Sequence, residues 1–442
     1  MPRASAADAD DANVPLARRL LTAALGVAAF AAPHAAPFVV STTDARGASS
    51  TSRVASASAA TTASASAPDP APGVDYPRVT ATAREVSART IDFLRWLDGV
   101  RAECVARGVS EATVRACFDG MEPYPEKPKP ALAPAKKDDA TPSAPVHVET
   151  RKVEKYLERI VTRDRVERGA ELIARHAALL SDVHDTYGVP PEIIVAIWGI
   201  ESSFGAFAGN SDCVWALANL AWEQKSGDGY FRNELIEATR IVDQGHAEAG
   251  KLTGSWDGGL GQCQFMPSNF HRYAVDKDGD GRADIWRSLP DVFASMGNFI
   301  STYCEWDPRV RHAGWRVEVG DASSLGPEVV GGYWGERKEP RPAKFFLWNG
   351  VRTAHKRSAP APSAETSLLM PDGGGNDRVA FLATKNFRAI MRYNPSTQYA
   401  MAVATLAREI VDEAAIVAER GEGGETTAAD AAPGGVAERE GG

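Results

Sequence analysis

Cysteine is scarce: the 442 residues hold five, and no two of them stand in CxxC or Cys/His zinc spacing. A disulfide-held scaffold and thiolate metal chemistry are both excluded, and the odd count leaves at least one free thiol. Basic residues are outnumbered, with 49 Lys+Arg against 58 Asp+Glu and a formal net charge of −9. No basic stripe is on offer to displace phosphate counterions, so nucleic acid is not expected as a partner. Neither a GxGxxG nor a P-loop pattern occurs, and no organic cofactor is indicated. The apolar run at 20–32 has 13 residues, too few for the roughly 20 that span a bilayer. What is present is a chain with 44% hydrophobic residues, long enough for two or three domains with a real core.

Residues 1–80 are mostly Ala, Ser, Thr, Pro and Asp. Within them Arg18 and Arg19 precede the apolar run, and Pro33 and small residues around Ala35–Ala36 follow it. That is the order of basic flank, apolar centre and cleavage zone found in secretory signals, so export is the expected address. The Ser/Ala/Thr/Arg tract that follows suits an organelle transit peptide, such as a plastid one, as the alternative. The first cysteine is Cys104, so no lipid anchor is expected. The stretch 127–146, KPKPALAPAKKDDATPSAPV, reads as an extended linker. Residues 358–367 read as a Pro/Ser/Ala loop, and 416–442 as a disordered tail.

Between these segments the pattern is helical. Phe93, Leu97, Val100 and Cys104 recur at helical steps until Gly108. Residues 153–187 continue the pattern with a break expected near Gly169, and Pro190-Pro191 opens a further helix. A closing helix is expected from Asn394-Pro395, with Tyr399, Ala402, Val403, Leu406 and Ile410 on one face. Strand-like runs occur at 315–319 and 343–348. The class is mainly α with a small β element, an α+β chain overall. The divisions are a targeting segment at 1–80, an N-terminal helical segment at 81–126, a linker at 127–148 and a core at 149–320. A small β/loop subdomain at 321–380, a closing helix of the core at 381–415 and the tail at 416–442 complete it. A monomer is expected.

Three segments carry chemistry. IIVAIWGI at 193–200 is apolar on every side and runs straight into Glu201-Ser202-Ser203-Phe204-Gly205. A carboxylate at the negative end of a buried helix is disfavoured by the dipole and by desolvation. Both effects keep it protonated, as a general acid for a glycosidic oxygen must be; a solvated helix end or an ion pair is the alternative. GSWDGGLGQCQFMPS at 254–268 combines four glycines, which admit a ligand close to the backbone, with Gln262, Gln264, Trp256 and Phe265. DKDGDGRAD at 276–284 matches the first nine positions of an EF-hand loop, with acids at positions 1, 3, 5 and 9 and Gly at 6. Arg287 replaces the bidentate Glu of position 12, and Asp291 is the available substitute.

In this order these segments, with NFRAIMRYNPSTQYAMAV at 386–403, resemble the lytic murein transglycosylase B family of the lysozyme-like superfamily over roughly residues 156–407. The resemblance implies a lysozyme-like catalytic core with an extra helical subdomain around a glycan groove, and peptidoglycan glycan strands as partner. It implies Glu201 as the single catalytic acid/base, which protonates the MurNAc–GlcNAc β-1,4 oxygen and then deprotonates the muramyl C6 hydroxyl to give a 1,6-anhydro product. It implies Tyr156, Ser255, Gln264, Phe265, Tyr393, Asn394 and Tyr399 as substrate-binding residues. It implies structural Ca2+ held by Asp276, Asp278, Asp280, the Arg282 carbonyl and Asp291. Cys263 stands where the family usually carries Thr or Pro, a thiol beside the site and open to oxidation. Phe299 stands where a groove Tyr is common. The competing readings are a muramidase or chitinase-like hydrolase, which needs a second carboxylate such as Asp257, and a non-catalytic peptidoglycan-binding module.

Overall fold

The computed structural model describes residues 87–125, 152–224, 229–319, 325, 330–331, 340–354, 359–371 and 379–428. The targeting segment, the whole of the linker and the end of the tail lie outside them. Helix starts are written in the sequence as hydroxyl and carboxylate caps. Ser87 accepts from the Thr90 amide to open α1 (Ala88–Ala106), and Ser110 from the Thr113 amide to open α2 (Glu111–Phe118). After α3 (Lys152–Ile160), Thr162 opens α4 (Arg163–Arg175), and α5 (Ala177–Tyr187) ends on left-handed Gly188. Next come α6 (Pro191–Ser202), β1 (Ser211–Asp212), α7 (Cys213–Glu223), α8 (Tyr230–Asp243) and β2 (Thr253–Gly254). They are followed by α9 (Pro267–Tyr273) and α10 (Leu289–Thr302).

The break expected at Gly169 falls elsewhere. The chain turns at 161–162 and at His176, while Gly169 lies inside α4. A Cβ there would collide with the Ile410 side chain, so this glycine is a contact that lets two helices approach. The partner helix is α13 (Thr397–Ala428), which packs on α4 and α6. It begins two residues later than Asn394-Pro395 suggests: Asn394 closes the preceding helix α12 (Lys385–Tyr393), and the Ser396 hydroxyl accepts from the Tyr399 amide. It also runs past 416, where a disordered tail was expected. Residues 414–420 (AAIVAER) are good helix formers, and extending a nucleated helix is far cheaper than starting one.

The β element has strand order β4-β7-β8-β3-β6, with β5 also on β7. Its strands are β3 (Gly314–Val319), β4 (Val330–Gly331), β5 (Arg341–Pro342), β6 (Val351–Thr353), β7 (Glu365–Leu369) and β8 (Ala380–Ala383). Pairing is antiparallel except between β4 and β7. The strand expected at 343–348 is instead the short helix α11 (Ala343–Trp348): Pro342 precedes it, and the buried Ala343 and Phe346 sit three residues apart. Residues 365–367, assigned to a loop from the sequence, belong to β7. Along β8 successive side chains serve different cores. Ala380 and Leu382 join a small cluster with Trp315, Phe346 and Leu368, while Phe381 and Ala383 enter the main helical core. The sheet is therefore the wall between two apolar layers.

Candidate active site

The centre of the molecule is α6. Ile193 through Gly199 are all buried, so the helix is enclosed and its final residues are delivered inside the fold. Glu201 keeps only 6% of its surface exposed. Directly after it Ser203, Phe204 and Gly205 are all left-handed, with φ of 51°, 58° and 79°. Two such non-glycine residues in a row cost on the order of 1 kcal/mol each. The turn is tied down by Ser202, whose hydroxyl donates to the Trp198 carbonyl (3.1 Å) and accepts from the Gly205 amide (3.0 Å). The Phe204 ring folds back over Gly199, where a Cβ would lie 2.5 Å from it.

This turn leaves the Glu201 carboxyl facing α13. The Tyr399 hydroxyl donates to Glu201 Oε1 at 2.6 Å, while Oε2 is buried with no protein partner. Burial pushes the Glu201 pKa up to about 8, against the lowering effect of the Tyr399 hydrogen bond and with added help from the Asp257 charge. At neutral pH the group is a neutral acid. Oε1 is engaged as an acceptor, so the proton belongs on Oε2, the oxygen free to donate it. Around it the shell is phenolic. Tyr393 donates to the Cys263 carbonyl (2.6 Å), and half-buried Tyr156, its pKa raised to about 12 by burial and the Glu201 charge, closes another side.

The Gly-rich segment forms the adjoining wall. Gln262 is clamped between Trp198 Nε1, which donates to its Oε1 (2.8 Å), and the Trp286 carbonyl, which accepts from its Nε2 (2.8 Å). Gln264, left-handed at φ 52°, donates through Nε2 to the Gly261 (2.8 Å) and Ala208 (3.2 Å) carbonyls. Gly209, at φ 89°, touches the Gly254 backbone, which pins the exit of α6 to this wall.

The sequence-derived binding residues do converge here, at different depths. Tyr156 and Ser255 are partly open, whereas Gln264, Tyr393, Asn394 and Tyr399 are buried. Phe265, 1% exposed, packs on Phe299 at 5.0 Å, and Phe299 meets the edge of Tyr393 at 5.2 Å. Phe299 thus backs the tyrosine, and Phe265, read from the resemblance as a groove residue, packs behind Phe299. The expected oxidation of Cys263 meets a correction as well: the thiol is fully buried, its pKa is pushed well up, and the reactive thiolate is suppressed. Gln262, offered to a ligand from the sequence, instead joins Trp198 to Trp286. One residue escaped the sequence reading: Phe207 stands 64% exposed next to Ala208, on the loop that leaves Glu201. The exposed aromatic carried no signal in the sequence, because only the fold turns it outward.

In the acidic loop, carboxylate oxygens of Asp276, Asp278 and Asp291 lie within 4.8 Å of one another. Opposed ligands at the 2.3–2.6 Å typical of Ca2+ sit about 5 Å apart, so three hard oxygens at this spacing fit that ion. Asp291 is fully buried and accepts from the Lys277 (2.7 Å) and Asp284 (2.8 Å) amides. Asp280 stands outside the cluster and caps the Arg282 amide at 2.9 Å.

Residues 92–408 match the family model described as Transglycosylase SLT domain. A curated relative, membrane-bound lytic murein transglycosylase B of Escherichia coli (strain K12), is 28% identical over 260 residues, covering 58% of this chain and 66% of the relative. The crystal structure of SltB3 from Pseudomonas aeruginosa in complex with NAG-anhNAM-pentapeptide is similar at TM-score 0.56 and 32% identity, over 72% of this chain and 79% of that one. The soluble lytic transglycosylase SltB1 from Pseudomonas aeruginosa is similar at TM-score 0.55 and 26% identity, over 72% and 98%.

Proposed function

The chain belongs to the family of the transglycosylase SLT domain, and from that premise we propose that it is a lytic transglycosylase of peptidoglycan, cleaving the MurNAc–GlcNAc β-1,4 bond without water. The observation that carries the reading is the buried, protonated Glu201 with one oxygen held by Tyr399 and the other unpartnered. Glu201 Oε2 gives its proton to the glycosidic oxygen as the bond to the muramyl C1 breaks. The resulting carboxylate, stabilised by the Tyr399 hydroxyl, takes the proton of the C6 hydroxyl as that oxygen closes on C1. One carboxyl serves both steps because the nucleophile is part of the sugar. The second acid of the region, Asp257, accepts a hydrogen bond from Ser255 (2.5 Å), an engagement that favours the single-carboxylate route over a hydrolase with two working acids.

Phe207 offers an exposed ring for a sugar face, and Tyr156 and Ser255 flank the acid. Asp276, Asp278 and Asp291, with Asp280 and the Arg282 carbonyl nearby in the loop, would hold Ca2+, which stiffens the segment between α9 and α10. No helix among the described residues is long and apolar enough to cross a membrane. Export directed by the segment at 1–80 brings the protein to its polymer. Purified sacculi digested with the protein should release muropeptides lighter by one water than muramidase products. Glu201→Gln should release none; products with reducing muramyl ends would refute the proposal.

A further inference from the structure

Three of the four arginines of α4 are committed within their own helix. Arg163 pairs with Glu167, and Arg168 and Arg175 both pair with Glu171. Arg165 is the exception, since among the described residues no carboxylate pairs with it. Its Nη1 donates to the carbonyl of Ile160, the last residue of α3, which anchors the guanidinium at the corner between the two helices. The position is unfavourable for a cation. Arg165 is half-buried and lies in the first turn of α4, capped by Thr162, where the positive end of the helix dipole repels it. Burial lowers its pKa, and the opposing influence comes from the Tyr156 phenol; the group still carries its charge at any physiological pH. Tyr156 gathers a second cation. The exposed Arg159 guanidinium, also without a carboxylate among the described residues, lies 5.4 Å from the centre of the Tyr156 ring. The same phenol neighbours Glu201. Two guanidiniums without counter-charges thus border the partly open tyrosine beside the acid, in a chain of net charge −9.

We infer that Arg165 and Arg159 form an anion subsite at the edge of the cleft, which takes a carboxylate borne on the lactyl arm of a muramyl residue and so selects glycan strands by charge as well as by sugar shape. The inference rests on the function proposed above, because it names the group of that substrate which the two cations meet. A half-buried fork of N–H donors matches the two oxygens of a carboxylate, and an incoming anion offsets the unfavourable placement that nothing inside the protein offsets. Two sources have this chemistry. One is the carboxylate of the lactyl arm itself, where the strand carries no peptide; the other is the carboxylates of the peptide, where it does. Arg165, anchored and half-buried, carries the larger share. Arg159, exposed and screened by solvent, carries the smaller.

The test uses the full chain and two glycan preparations, sacculi with intact peptides and strands freed of peptide by an amidase, each also with its carboxylates converted to neutral methylamides. KM is read from the release of soluble muropeptides, and Kd from binding to the Glu201→Gln protein. Neutralising the carboxylates should raise both about tenfold, the worth of one charge-assisted hydrogen bond. Arg165→Gln should raise them by the same factor on unmodified glycan and leave them unchanged on neutralised glycan. Arg165→Lys, which keeps the charge and loses the fork, should return to within about threefold of the parent; Arg159→Gln should cost about threefold. An Arg165 that merely braced the α3–α4 corner would weaken charged and neutral glycan alike and preserve the ratio between them. A neutralisation effect on peptide-free strands identifies the lactyl carboxylate, and one confined to intact sacculi identifies the peptide; either supports the inference. Equal affinity of the parent for charged and neutral glycan, or an Arg165→Gln loss that persists on neutral glycan, overturns it. Charge-dependent binding by a parent that releases no anhydro ends instead overturns the functional reading beneath it.

Discussion

A buried acid held neutral is a debt the fold carries at every pH above its natural titration, and Glu201→Gln should expose it. The unfolded side chain loses its proton near 4.5, the folded one near 8. Between those values the folded state keeps a proton that the unfolded chain has given up, so stability falls as pH rises through this window. Below 4.5 both states are protonated and the deficit vanishes; above about 8 it is complete. Each unit is worth about 1.4 kcal/mol, so from pH 4.5 to pH 7 the parent loses roughly 3 kcal/mol through this one group. Gln keeps an oxygen for Tyr399 and has no proton to lose. Its amide N–H in the place of Oε2 costs about 1–2 kcal/mol, equally at every pH. The variant should therefore gain on the parent by about 6 °C in Tm on going from pH 4.5 to pH 7, at ~2 °C per kcal/mol for a folded region of this size. Calorimetry of both proteins across that range measures it, and turnover of sacculi should be lost throughout. A Tm difference that stays constant with pH would refute the picture of a proton trapped at neutrality.

Tyr399→Phe removes the hydrogen bond that lowers the Glu201 pKa, so the alkaline limb of activity should move up by about one unit while kcat drops at least tenfold; a downward shift would contradict the assigned donor. Phe207→Ala should raise KM for long glycan strands about three- to tenfold and leave Tm within 1 °C, because the ring is 64% exposed and packs on little; an unchanged KM would exclude it from the groove. In the acidic loop, Asp278→Ala should weaken Tb3+ or Ca2+ binding at least tenfold by titration, and chelation should lower Tm in the parent but not in this variant. Asp291→Ala should destabilise even without metal, since it orphans the Lys277 and Asp284 amides.

Local signals carried much of the fold. The enclosed helix before Glu201 was legible because apolar residues on every side leave no other reading, and the hydroxyl caps at Ser87, Ser110 and Thr162 mark helix starts as propensity predicts. The strands of the sheet were harder. β8 is buried on both faces, so its sequence AFLA lacks the alternation by which a half-exposed strand is recognised. Gly169 misled for the opposite reason. It looked like punctuation and is a packing surface for Ile410, 241 positions along the chain (410 − 169), a distance at which no local pattern operates.

The same division runs through the site. The residues themselves pointed to Glu201 and the resemblance to Ser255, Gln264 and the tyrosines, but neither said which atoms they turn toward one another. Gln264 could in principle offer a sugar both a donor and an acceptor. The structure commits its nitrogen to two carbonyls and leaves the oxygen, and only the crossing of the 201–209 and 254–268 loops decides that. The deciding feature is the left-handed Ser203-Phe204-Gly205 turn. It ends α6 abruptly, pins the chain under Gln262 through the side-chain-free Gly205, and stops the carboxylate from reaching water. A helix continued by one more turn would be less strained, but it would carry Ala208 away from Gln264 and remove the support of the wall. Strain in that turn and the uncomfortable proton on Glu201 are thus two parts of one arrangement. Relieving the proton by Glu201→Gln should stabilise the protein at pH 8 and cost it turnover, whereas Phe204→Gly relieves about 1 kcal/mol of strain but loses the larger packing of the ring on Trp198 and Gly199 and should destabilise it.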